Sequence, residues 1–359
     1  MTPREIVKAA LHFQHPARIP FTLPKPWQRD LMGVGREPAR NRKQSGWERR
    51  GDAWYRTDEM GNIWRRVVET TSGEVLEGVI EKDWRLLDSY EWPDVADPAI
   101  WEKAAARCRE LHAQGFYVLG SINWPFNTTR YMRRLEVYLA DLIGERENVL
   151  RLLGRGTDMT VTEIENYARI GADGVFGCED WGTQDRLLVS PKMWREIFKP
   201  VFRRICEAAH ARGIEVFLHS CGHVTEVMDD WVEVGLDCCQ FDQPELHGID
   251  YLAERYRGRL TIWSPVDIQR TLQTRDVKKI QRAAKEYVEK LGGAGRGGQA
   301  VGGFIAGYYG SNEGIGLDPK VQAAACRAFT RYGDPRNLLG LPEELRRVDK
   351  QNGSPPAMP

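Results

Sequence analysis

From about residue 99 onward the chain alternates between two hydrophobic periods. Stretches such as IWEKAAARCRELHAQG and SPKMWREIFKPVFRRICEAAHARG repeat apolar positions three and four apart, and so predict amphipathic helices. Between such stretches lie short apolar runs: FYVLGSIN (116–123), ADGVFGCEDWG (172–182), IEVFLHSCG (214–222), LDCCQFDQP (236–244), RLTIWSPVD (259–267) and GGFIAGYYGS (302–311). Strands buried on both faces read as continuous apolar runs, and helix-then-strand units in series predict a parallel sheet. With RIPFTLP (18–24) added, the strands approach the eight of a closed barrel. The predicted fold is α/β, a (β/α)8 TIM barrel, with an open doubly wound sheet as the alternative.

The first 98 residues have a different texture. An amphipathic helix is expected over 3–14, then the short strand 18–24, then an irregular Arg-, Pro- and Gly-rich excursion over 25–50. AWYRTDEM, IWRRVVETTS and EVLEGVIE follow, β-branched and aromatic runs separated by Gly-Asn and Gly, which predict an N-terminal β-hairpin or meander extension. The whole of 1–345 is expected to be one barrel domain, and the polar, Pro-rich tail 346–359 to be disordered. The glycines between 292 and 298 come after a helix and before a strand, the reverse of a phosphate-binding loop, and are expected to form a flexible loop.

Composition narrows the class. Lys plus Arg and Asp plus Glu number 51 each, so no net charge draws the chain to nucleic acid or anionic membranes. No apolar run is long enough to span a bilayer, and the first residues lack a signal-peptide pattern. Seven cysteines at irregular spacing are no disulfide framework. A cytoplasmic protein acting on a small molecule is expected, with neither nucleic acid nor membrane as partner.

Chemistry in a parallel barrel collects where strands end. Those ends carry Asn123 and Trp124; Glu179, Asp180 and Trp181; His219, Ser220 and Cys221; Asp242 and Gln243; Ser264 and Asp267; and Tyr308, Tyr309, Asn312 and Glu313. His219 and Cys221 are the sharpest pair, because residues two apart on a strand point the same way and imidazole and thiolate are preferred zinc ligands. The plain alternative is a core histidine beside a buried thiol. Third donors within reach in sequence are Glu179, Asp180, Cys239 and Asp242. Trp124, Trp181, Trp263, Tyr308 and Tyr309 are candidates to stack a planar substrate, with His247 a further contact.

The run from Asp180 through WGTQDRLLVSPKMWREIFKP, AAHARGIEVFLHSCGHV, VGLDCCQFDQPE and WSPVDIQRTL resembles the uroporphyrinogen decarboxylase superfamily, over roughly residues 100–335. RTDEMGNIW is similar to the hairpin segment that precedes it there. That superfamily includes zinc-dependent methyltransferases that exchange methyl groups with corrinoid cofactors. The resemblance implies a (β/α)8 barrel with its site at the carboxyl-terminal mouth. The Arg-Gln-Ala-Gly-Arg segment of true decarboxylases is replaced by PKPWQRDLMGVGREP, with Arg29 and Arg36, and their late His-Gly falls on Tyr309-Gly310. Asp58 falls near their catalytic aspartate.

The resemblance to the methyltransferase branch is closer. It implies His219 and Cys221 as zinc ligands, while that branch's third ligand, a late cysteine, falls near Tyr308 or Tyr309. Either an oxygen ligand (Glu179, Asp242 or Glu313) replaces it, or the metal is absent. The implied function is zinc-assisted methyl transfer between a small methoxy or methylthio compound and a corrinoid. Asp180, Glu179, Tyr309 and Asp242 are then the catalytic candidates, and Asn123, Trp124, Trp181, Gln243, His247, Trp263, Tyr308 and Glu313 the substrate contacts. The partners this allows are a corrinoid protein and a second copy of the chain. The alternatives are a metal-free decarboxylase of uroporphyrinogen or another carboxylated aromatic, and a non-catalytic binding module.

Overall fold

The structure is a computed structural model that describes residues 1–293 and 300–334. The expected disordered tail and most of the glycine-rich loop lie outside the described residues. The chain divides into two compact units, one formed by residues 32–240, the other by 1–31 together with the chain from 241 onward.

The first unit opens on strand β1 (Leu31–Val34) and an antiparallel sheet of β2 (Glu48–Arg50), β3 (Ala53–Thr57), β4 (Ile63–Arg66) and β5 (Glu74–Glu77), in that order. β3, β4 and β5 are the predicted meander, whereas β1 and β2 fall within 25–50, the stretch expected to be irregular. The sheet's pairing sets Trp54 opposite both Arg49 and Arg66, and Arg56 opposite Trp64. Period-two alternation thus stacks arginines and tryptophans on one face: Arg66 lies 4.3 Å from the Trp47 ring centre, and Arg56 lies 5.0 Å from Trp47 and 4.8 Å from Trp64.

Four parallel strands follow, β6 (Tyr117–Ser121), β7 (Gly174–Cys178), β8 (Glu215–His219) and β9 (Cys238–Gln240), each preceded by helix, in the spatial order β1, β6, β7, β8, β9. They are the apolar runs of the sequence, closed in by the helices between them. Gly120 on β6 is required by packing: a Cβ there would stand 2.3 Å from the Tyr167 ring. Tyr167 lies on the long helix Arg146–Arg169 and donates its hydroxyl to Ser121 O at 2.8 Å. The helix face carrying Trp194, Phe198 and Phe202 packs on Trp181, Trp124 and Trp231 to form an aromatic core.

At the far end of β8, His210 bonds Asp237 at 2.8 Å, and that bond, with the carboxylate charge, raises the imidazole above its ordinary value against the cost of burial. A histidine raised on folding stabilises fully below its unfolded pKa of about 6.5, and that contribution is lost as pH rises through the folded value. Thermal melts should therefore show His210→Gln less stable than the parent near about pH 5.5, with the gap closing toward about pH 8. A gap that widened with pH would contradict this sign.

The second unit has the helix Pro3–Leu11, capped reciprocally by Thr2 and Glu5. Strands β10 (Thr261–Ser264) and β11 (Phe304–Ala306) pair in parallel, and the helices Ile249–Tyr256, Val277–Lys290 and Pro319–Gly333 belong to the same unit. The predicted strand 18–24 is reduced to two isolated bridges, Phe21 to Ala306 in parallel and Thr22 to Arg29 antiparallel. Pro20 and Pro24 lack the N–H groups that would extend the ladder. The segment is instead pinned by a buried bidentate pair between Arg18 and Asp30, both bonds 2.7 Å, with Asp30 also accepting from Phe21 N.

Both units follow one plan of parallel strands separated by helices, and the fold class is α/β and TIM-barrel-like, with an N-terminal antiparallel extension. No helix among the described residues is long and apolar enough to cross a membrane. None of the seven cysteines forms a disulfide.

Candidate active site

The loops after β7 and β8 cross backbone to backbone. Gly222 has φ +79°, and a Cβ there would lie 2.0 Å from Gly182 O and 2.2 Å from Gly182 C. Gly182 N donates to Cys221 O at 3.2 Å, and Trp181 N donates to the Ser220 hydroxyl at 3.2 Å. This crossing carries Asp180 to Cys221, whose N–H donates to Asp180 Oδ1 at 2.9 Å.

One imidazole, one thiol and one carboxylate converge there. The donor atoms of Asp180, His219 and Cys221 all lie within 4.8 Å of one another, each residue partly buried. His219 Nε2 is 3.2 Å from Cys221 Sγ and 3.6 Å from Asp180 Oδ1. Tetrahedral zinc with ligands at about 2.0–2.3 Å sets its donors about 3.3–3.8 Å apart. The nitrogen, sulfur and oxygen set fits the metal in kind, and the two separations from His219 Nε2 lie at or close to that range. The other ring nitrogen, Nδ1, bonds Gln240 Oε1, on the residue paired with His219 across β8 and β9. A carbonyl oxygen only accepts, so Nδ1 carries the proton and the Nε2 lone pair faces the cluster.

Glu179 is not part of this set. Its buried carboxyl accepts from Phe126 N at 2.5 Å and from Trp181 Nε1 at 3.0 Å, and burial pushes it up to about 8 despite those bonds. Trp181 is fully buried, stacked on Phe126 at 4.0 Å. Asn123 and Trp124 line a cavity of about 410 Å³ with Arg56, Asp58, Trp64, Tyr131 and Cys178. Tyr131 stands edge-on to Trp64 at 4.7 Å and has its hydroxyl raised by burial; Cys178, a wall of the cavity, is paired with His219 across β7 and β8, so the cavity lies beside the cluster. Cys178, Tyr131, Gln240 and Arg56 are absent from the sequence reading of the site. Cys178 ends an apolar strand in register with His219, a signal the sequence does carry.

Arg36, in the segment that replaces the decarboxylases' arginine motif, is engaged by internal partners. Arg36 bonds Glu59 bidentately, both contacts 2.8 Å, and bonds Glu163, which in turn accepts from Asn123 N and Nδ2. Asp58 is equally occupied, accepting from Asn62 N, Asn62 Nδ2 and Trp64 Nε1.

The remaining sequence candidates belong to the other unit. His247 is buried with its ring 4.5 Å from Phe241, and Trp263 Nε1 donates to Thr22 Oγ1 at 2.9 Å. Tyr308 accepts from Asn312 Nδ2 at 2.7 Å, while the backbone of Tyr309 is held by Gln322. Asp242 accepts from Ile268 N through its carbonyl, Gln243 is partly buried, and Glu313 begins a short helical turn on the surface.

A family model for uroporphyrinogen decarboxylase (URO-D) matches residues 73–332. No curated protein matches the chain. Among solved structures, a methyltransferase from Methanosarcina mazei shares the fold at 16% identity, with 77% of this chain and 76% of that one covered and a TM-score of 0.57. A D-psicose 3-epimerase determined in the presence of D-fructose is similar at 13% identity over 64% of this chain and 83% of that one, with a TM-score of 0.40. With 260 of its residues inside the family match, the chain belongs to the uroporphyrinogen decarboxylase family.

Proposed function

We propose that Asp180, His219 and Cys221 hold a zinc ion, and that the protein transfers a methyl group between a small methylated compound and a corrinoid carried by a partner protein. The observation behind this reading is the convergence of three different zinc-type donors at the crossing of two strand-end loops. Asp180 takes the place of the late cysteine of the methyltransferase branch. When bound, zinc supplies Lewis acidity that stabilises negative charge developing on the atom that gives up or accepts the methyl group. The chain's own groups orient the set: Gln240 fixes the His219 tautomer and the Cys221 N–H fixes Asp180. The shared fold of the methyltransferase from Methanosarcina mazei is in keeping with this reading. The decarboxylase alternative is weakened because Arg36 and Asp58 are both consumed by internal partners.

Elemental analysis of the purified protein should find one zinc per chain, and incubation with cob(I)alamin and methoxylated or methylthio donors should yield methylcobalamin. Uroporphyrinogen should remain unchanged. Absence of both zinc and methylcobalamin would overturn the reading.

A further inference from the structure

Glu179 stands next to the donor cluster without belonging to it, and its 1% exposure shuts a carboxylate into an aromatic core. Such a group is tolerated there only when hydrogen bonds compensate it. Oε1 accepts from Phe126 N at 2.5 Å, in the first turn of the helix Pro125–Arg133, whose boundary residue Trp124 makes no side-chain cap. Capping that helix from a neighbouring strand is the plain structural use of the residue. Oε2 has a different partner: it accepts from Trp181 Nε1 at 3.0 Å.

That second bond joins the two residues that flank Asp180. Each of them is held again by other contacts. Glu179 N donates to His219 O at 2.8 Å, Trp181 N donates to Ser220 Oγ at 3.2 Å, and the Trp181 ring is stacked on Phe126. Residues 179 and 181 are therefore both turned inward, and Asp180 between them turns out, its side chain 42% exposed. Its carboxylate there takes the Cys221 N–H and lies 3.6 Å from His219 Nε2. A helix cap has no need of this bridge across Asp180, and the bridge decides which of two adjacent carboxylates enters the cluster.

We propose that Glu179 is a positioning residue for the metal ligand Asp180, acting through its bond to the Trp181 indole. This rests on the zinc reading of the cluster and adds to it the group that aims its oxygen ligand. A carboxylate is needed because both oxygens accept. In Glu179→Gln the amide nitrogen brings donors against Phe126 N or Trp181 Nε1, and one of the two bonds must break.

A double-mutant cycle on the full chain tests it, read as zinc affinity in competition with a chromophoric chelator. Glu179→Gln should bind zinc about 10–100-fold more weakly, as for the loss of an outer partner, and Asp180→Ala more weakly still. In the Asp180→Ala background Glu179→Gln should cost nothing further, since the ligand it aims is gone. With cobalt(II) in place of zinc, Glu179→Gln and Asp180→Ala should shift the visible d–d bands alike and keep the charge-transfer band of the Cys221 thiolate. Trp181→Phe keeps the stacked ring and removes only the indole donor, so it should show the same zinc loss even if Glu179→Gln does not fold. Full zinc affinity in Glu179→Gln or in Trp181→Phe, or equal losses with and without Asp180, would overturn the assignment alone. Full affinity in Asp180→Ala would instead remove Asp180 as a ligand, and the zinc reading would fall with it.

Discussion

Cys221→Ser is expected to leave the purified protein with little or no zinc and to lower methyl transfer at least about a hundredfold, with the melting curve little changed. Serine preserves the volume and the backbone but exchanges a soft thiolate for a hydroxyl that stays protonated at neutral pH, which is a poor zinc ligand. Among the described residues three protein donors meet at this point, so losing one leaves His219 and Asp180 to hold the ion. Gln240→Leu separates ligation from orientation. It removes no donor but frees the His219 ring, and loss of such an outer partner typically costs about 10–100-fold in metal affinity. Zinc titration of the apo-proteins against a chromophoric chelator reads both effects. If Cys221→Ser retained stoichiometric zinc, the metal assignment would fail.

The second large effect is expected at the loop crossing. Gly222→Ala places a methyl group within 2.7 Å of three backbone atoms of Gly182, and asks a residue with a Cβ to keep φ at +79°. Backbone cannot rotate away as a side-chain tip can. Overpacking and the left-handed conformation together cost about 3 kcal/mol or more. The variant should melt well below the parent and should also lose zinc, because the crossing is what brings Asp180 to Cys221. Gly213→Ala is the contrast. It has φ +70° but open space around its Cβ position, so it pays for conformation alone, about 1 kcal/mol, and should keep its metal. Similar melting temperatures for the two variants would refute the steric account.

The barrel strands were readable because each is a short apolar run between helical periods, and β6, β7, β8, β9, β10 and β11 all fall within those runs. RIPFTLP has the same hydrophobicity but is bounded by prolines, and hydrophobic pattern alone does not count N–H groups. At the site, His219 and Cys221 stood out because their spacing is local. The choice between Glu179 and Asp180 did not, since it depends on how the chain turns after β7 and on the Gly182 crossing some forty residues from its partner. The tryptophans show the same limit. Trp124 and Trp181 both end strands, yet Trp181 is sealed against Phe126 and Trp124 shows the cavity only its edge. The engagement of Arg36 was not legible either, because its acidic partners, Glu59 and Glu163, are 23 and 127 residues away.

The antiparallel extension contributes Arg56, Asp58 and Trp64 to the cavity, whereas the donor cluster comes entirely from the loops after β7 and β8. The hairpin walls and the donor cluster thus lie on separate stretches of one chain, about 120 residues apart at their closest, while β7 brings Cys178 to the cavity two residues before Asp180. The hairpins can therefore change in sequence without touching the residues that bring Asp180, His219 and Cys221 together.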